Sequence, residues 1–117
     1  MQSLNTSISP RDQLVLLLIA KSATINHVWK LGMTFDRCDF PGNVGKNLLN
    51  LVNNNLIYVT EVNEFGHPMK YAVTEQGEIF LNNELNTEII IDHIKKMSNP
   101  VFMLEIVPKI IARYKLG

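Results

Sequence analysis

A chain of 117 residues, 46% of them hydrophobic, is long enough for one cored domain and too apolar for wholesale disorder. Its 11 basic and 11 acidic side chains cancel, so it lacks the basic excess usual in dedicated nucleic-acid binders. The single cysteine, Cys38, excludes an intrachain disulfide, and no apolar run approaches the roughly 20 residues of a spanning helix.

Met1 to Pro10 has neither the basic nor the apolar region of a signal peptide, so a soluble, cytoplasmic protein without membrane contact is expected. Ser9-Pro10-Arg11-Asp12 reads as a helix start: Ser9 caps, Pro10 suits the first helical position, and Asp12 suits the first turn. Leu14 to Ala20 is apolar on every side, which predicts a helix buried all round. Thr24 is placed to cap a second helix over Ile25 to Leu31, with Gly32 as its stop.

After a loop from Met33 to Phe40, a third helix is predicted from Pro41 to about Asn54. Val44, Leu48, Leu51 and Val52 form its buried stripe. Asn54-Asn55 ends it, because asparagine tolerates the left-handed conformation. Alternating residues over Leu56 to Val62 and Met69 to Val73, around a turn at Asn63 to Pro68, predict a β-hairpin. Thr74 then caps a helix over Glu75 to Asn83. Thr87 opens a helix through Lys96, with Ile90, Ile91, Ile94 and Met97 on one side. Asn99-Pro100 opens a last helix to about Leu116, in which Pro108 predicts a kink or break.

The order helix, helix, helix, hairpin, helix resembles the winged helix-turn-helix. The stretch from Asn47 to Ile57 is similar to the end of a recognition helix running into the Leu-Ile that starts the wing. Lys70-Tyr71-Ala72-Val73-Thr74-Glu75-Gln76-Gly77 is similar to the second wing strand and its Y-x-(L/V)-T-x-x-G exit. Both motifs occur in regulators of the MarR and PadR families, and the resemblance covers about residues 8 to 85. Phe40-Pro41-Gly42-Asn43 replaces the usual Ser/Thr-rich start of the recognition helix, and Asn55 stands where many relatives have glycine.

The resemblance implies an α+β, mainly α fold: a winged helix-turn-helix over residues 1–86 with a two-stranded wing, followed by a C-terminal helical dimerisation segment over residues 87–117. It also implies a homodimeric, sequence-specific transcriptional regulator with the third helix in the major groove of double-stranded DNA. With Val44, Leu48, Leu51 and Val52 inward, Asn43, Lys46, Asn47 and Asn50 form the opposite stripe. Asparagine pairs bidentately with adenine, and lysine meets guanine or a phosphate. Gly42 and Gly45 permit close backbone approach, and Lys70 on the wing is the expected phosphate contact, opposed by Glu64.

Charge argues the other way. Residues 1–86 carry six basic against eight acidic side chains, net −2, and residues 87–117 carry five against three, net +2. Phosphate neutralisation supplies most non-specific affinity for DNA, so weak, salt-sensitive binding is expected. The alternative is a winged-helix protein–protein interaction module that binds no DNA.

Both terminal helices need more cover than one neighbour provides. Leu14 and Leu17 from the first, with Met103, Val107, Ile110 and Tyr114 from the last, are the expected dimer contacts. The other solution is that the last helices fold back and complete a monomeric core.

No enzymatic chemistry, cofactor or metal is expected. His27, His67, His93 and Cys38 lack metal-ligand spacing, and no nucleophile motif or phosphate-binding loop stands out. Cys38, between acidic Asp36 and Asp39, is read as an inert thiol, with a redox-sensing thiolate favoured by Arg37 as the other option. Trp29 and Phe35 are read as core, with a small-molecule effector pocket as the other option.

Overall fold

Ser9 and Asp12 begin the fold with a reciprocal cap. The Asp12 amide donates to Ser9 Oγ (3.1 Å), and the Ser9 amide donates to Asp12 Oδ2 (3.0 Å). In the computed structural model, residues 8–21, 31, 33–34 and 44–116 are described. Among them the elements are α1 (Pro10–Lys21), α2 (Val44–Asn53), β1 (Ile57–Val62), β2 (Pro68–Val73), α3 (Glu75–Asn83), α4 (Thr87–Lys95) and α5 (Val101–Leu116). The protein is thus α+β and mainly helical, with one antiparallel hairpin among the described residues. No helix among them is long and apolar enough to cross a membrane.

α1 is the axis of the core. Leu14 through Leu18 are fully buried, and α1 packs against α2, β2, α3, α4 and α5. This is the helix buried all round that its unbroken apolar run predicts. One continuous cluster joins α1 to Leu48 and Leu51 of α2, Phe80 and Leu81 of α3, Ile90 and Ile94 of α4, and Met103 and Val107 of α5. The core therefore runs without interruption across the expected boundary at residue 86.

α2 ends in a left-handed turn. Asn55 has φ +60°, its amide donates to the Val52 carbonyl, and the Leu56 amide reaches back to the Leu51 carbonyl. These two bonds make a Schellman motif, with Leu51 and Leu56 as its buried apolar pair. Helical backbone occurs at Leu31, Met33 and Thr34, the last two beyond the Gly32 expected as a stop; residues 22–30 and Gly32, over which most of the second helix is expected, lie outside the described residues.

The hairpin is buried only at its base. Ile57 opposes Val73 and Val59 opposes Tyr71, with Ile57 and Tyr71 inward and the rest of β1 exposed. Register shifts flank Glu61 and twist the outer half. Thr74 caps α3 by accepting from the Gly77 amide (3.0 Å). Thr87 opens α4 as expected, and Asn86 caps it.

Of the kink or break expected at Pro108, the break does not occur: α5 runs through the proline as one helix. The lost donor and ring clash cost about 3 kcal/mol. Met103, Val107, Ile110 and Ile111, all buried, hold the helix to the core on both sides of the proline. That burial outweighs the penalty, at roughly 1.5–3 kcal/mol per large side chain.

Candidate nucleic-acid interface

The open face of α2 consists of Gly45, Lys46, Leu49 and Asn53, all exposed. Leu49 is 61% exposed. The adjoining hairpin carries Lys70, whose Nζ lies 3.6 Å from Glu61 Oε1 across the strands. Both side chains are about half in water, so solvent screens this pair.

Asn47 and Asn50 do not belong to that open face. Both are half-buried and turned towards α1. Asn47 Nδ2 donates to Asp12 Oδ1 (2.7 Å), and Asn50 Nδ2 donates to Asp12 Oδ2 (2.7 Å). Their amide oxygens are occupied too: Asn47 Oδ1 accepts from Arg11 Nε (3.1 Å), and Asn50 Oδ1 accepts from Asn54 Nδ2 (3.2 Å). Bidentate recognition of adenine needs both the oxygen and the nitrogen of an amide. The expected stripe is therefore corrected: Asn47 and Asn50 fasten α2 to α1, and Lys46 faces solvent. Asn43 lies outside the described residues.

The cause is Asp12. The residue is only 3% exposed, and its carboxylate accepts from the Ser9 amide, Asn47 and Asn50. A buried carboxylate requires such donors, and the two asparagines one turn apart on α2 supply them. The sequence offers a hint in the acidic residue set just before a long apolar run, where desolvation is inevitable.

Beside this network, burial holds the Arg11 guanidinium below the usual arginine range. Burial, with Arg11 and Lys96 nearby, likewise holds His93 below the ordinary histidine value.

Phe65 is a second feature that the sequence reading passed over. It is 75% exposed at the hairpin tip, with Val62 also exposed. The tip is closed by local hydrogen bonds: Asn63 Oδ1 accepts from the amides of Phe65 (2.8 Å) and His67 (3.0 Å), and Gly66 takes φ +83°. An aromatic at a turn that no other element can cover was the available signal.

Comparison with known protein families, known proteins and solved structures found no match.

The expected dimer contacts are also relocated. Leu14, Leu17, Met103 and Val107 are fully buried within one chain, and Ile110 is 7% exposed. They form the monomer's own core and present nothing to a second copy. Tyr114 lies in α5, where its side chain is outside the described residues. His27, Trp29, Phe35 and Cys38 also lie outside them. Among the described residues no three His, Cys, Asp or Glu side chains gather as a metal site.

Proposed function

We propose that this chain is a winged-helix transcriptional regulator that binds DNA sequence-specifically as a homodimer in the cytoplasm, without catalytic activity or a cofactor. The observation that carries this reading is the open face of α2, formed by Gly45, Lys46, Leu49 and Asn53 beside a projecting hairpin. A helix of this exposure fits the major groove. Gly45 admits close backbone approach, Lys46 reaches guanine or a phosphate, and Leu49 suits the methyl group of thymine. Lys70, on the hairpin, supplies a phosphate contact when it leaves Glu61.

The test is selection from a random duplex pool, read by fluorescence anisotropy at about 50 and about 200 mM salt. Enrichment of an inverted repeat, with loss of affinity in Lys46→Ala and altered base preference in Leu49→Ala, is the expected result. Unchanged binding by both variants refutes α2 as the reading element.

A second reading is a protein-interaction module. Phe65 and Val62 favour it, because an exposed aromatic tip beside Glu64 suits a protein pocket better than a phosphate backbone. It predicts no duplex binding at either salt.

A further inference from the structure

The outer side of α5 is apolar where a solvated helix would be charged. Met103, Val107, Ile110 and Ile111 point into the core. Val101 (68% exposed), Phe102 (41%) and Leu104 (36%) face outwards, joined by exposed Pro108 and Ala112. Val101, Pro108 and Ala112 lie along one line of the helix, with Leu104 and Phe102 on either side. Glu105 and Lys109 are the two charged residues of this face among the described side chains. Glu105 and Lys109 lie between this line and Phe102, so the face is apolar surface crossed by one pair of charges, and exposed apolar surface marks an interaction site on soluble proteins.

The two charges say what covers it. Glu105 and Lys109 stand four residues apart on the same side of α5. Two copies of the helix packed antiparallel, with the two-fold axis at Val107, set each Glu105 against Lys109 of the other copy. The same register sets each Phe102 against the small Ala112 of the other copy. A parallel arrangement sets like against like at every one of these positions. Self-complementarity of this form is what a two-fold interface requires.

We propose that the outer face of α5 is the docking surface for a second copy of this chain, with the two helices antiparallel about Val107. This inference rests on the homodimer in the proposed function and is independent of its DNA-binding surface. It also moves the interface from the buried residues expected from sequence to the opposite side of the same helix.

Sedimentation equilibrium without DNA, over a wide range of protein concentration, tests it. The wild-type chain is expected to show a reversible monomer–dimer equilibrium. Glu105→Lys and Lys109→Glu each replace two attractive contacts with two repulsive ones and weaken the dimer by about tenfold. Combining them restores the opposite charges and returns dimerisation to near the wild-type level. Phe102→Asp places a carboxylate against Ala112 of the other copy and shifts the chain to monomer. All these positions are exposed, so thermal melting is expected to show intact folding.

A chain that is monomeric at every concentration overturns the proposal. So does a dimer indifferent to both single charge changes, or a double variant no tighter than the singles. DNA binding by a monomer would overturn this inference while leaving the reading of α2 intact.

Discussion

Replacing Asn47 by alanine distinguishes a structural clamp from a base-reading side chain. The change removes a 2.7 Å hydrogen bond into the buried Asp12 carboxylate and the acceptor for Arg11 Nε. A hydrogen bond to a charged group contributes about 1.5–3 kcal/mol, and Asp12 keeps the Ser9 amide and Asn50 as donors. A loss of about 2 kcal/mol therefore follows, short of the penalty for an orphaned buried charge. In urea, with a slope of about 1–3 kcal/mol per M, the midpoint falls by roughly 1 M while the slope stays constant. A double-mutant cycle with Asp12→Ala gives a coupling of about 1–2 kcal/mol. At a temperature where the variant is fully folded, its preference among selected duplexes matches that of the wild type. Stability within about 0.5 kcal/mol of wild type, or strict additivity with Asp12→Ala, refutes the clamp.

Other substitutions test the remaining parts of the fold. In Gly77→Ala the added Cβ meets the Leu56 carbonyl oxygen and comes within 2.5 Å of Val73 Cγ1. Overpacking of about 1–3 kcal/mol exceeds the gain in helix propensity of about 1 kcal/mol, so calorimetry should show a lowered Tm. Asn55→Ala puts an alanine at φ +60° and costs about 1 kcal/mol, whereas Asn55→Gly stays within about 0.5 kcal/mol of wild type in the same assay. His93 titrates below its ordinary value of 6.5 in the folded chain, so the unfolded chain binds the extra proton first as pH falls. His93 accordingly contributes a loss of stability as pH drops from about 6.5 through its folded value, and His93→Gln removes that part of the pH dependence in denaturant titrations.

Features fixed by neighbours in the chain were legible in the sequence. Ser9-Pro10, Asn55, Thr74 and the hairpin turn act over a few residues, and each appears where local chemistry places it. Gly77 was legible as part of a motif, and its reason is spatial: the helix starts against the Leu56 carbonyl. What sequence could not supply was the partner of each exposed-looking group. The polar stripe on α2 has the periodicity of a solvated face, and only the arrival of Asp12 on α1, 35 residues away in the chain, turns Asn47 inward. The apolar richness of α1 and α5 likewise states a need for cover without saying whose atoms provide it. Here the chain covers Leu14, Leu17, Met103 and Val107 by itself.

The junction around Thr74 has a consequence for how such a chain can change. Thr74 Oγ donates to the Asn55 carbonyl (2.6 Å), its amide donates to the Leu56 carbonyl (3.0 Å), and its oxygen receives the Gly77 amide. The end of α2, both feet of the hairpin and the start of α3 thus meet at one riveted point, while Glu64, Phe65 and His67 at the tip are exposed. A lineage can lengthen, shorten or rewrite that tip without disturbing the tilt of the helix beside it. The hairpin is therefore an interchangeable head on a fixed handle, and new partners can be tried there at little risk to the fold.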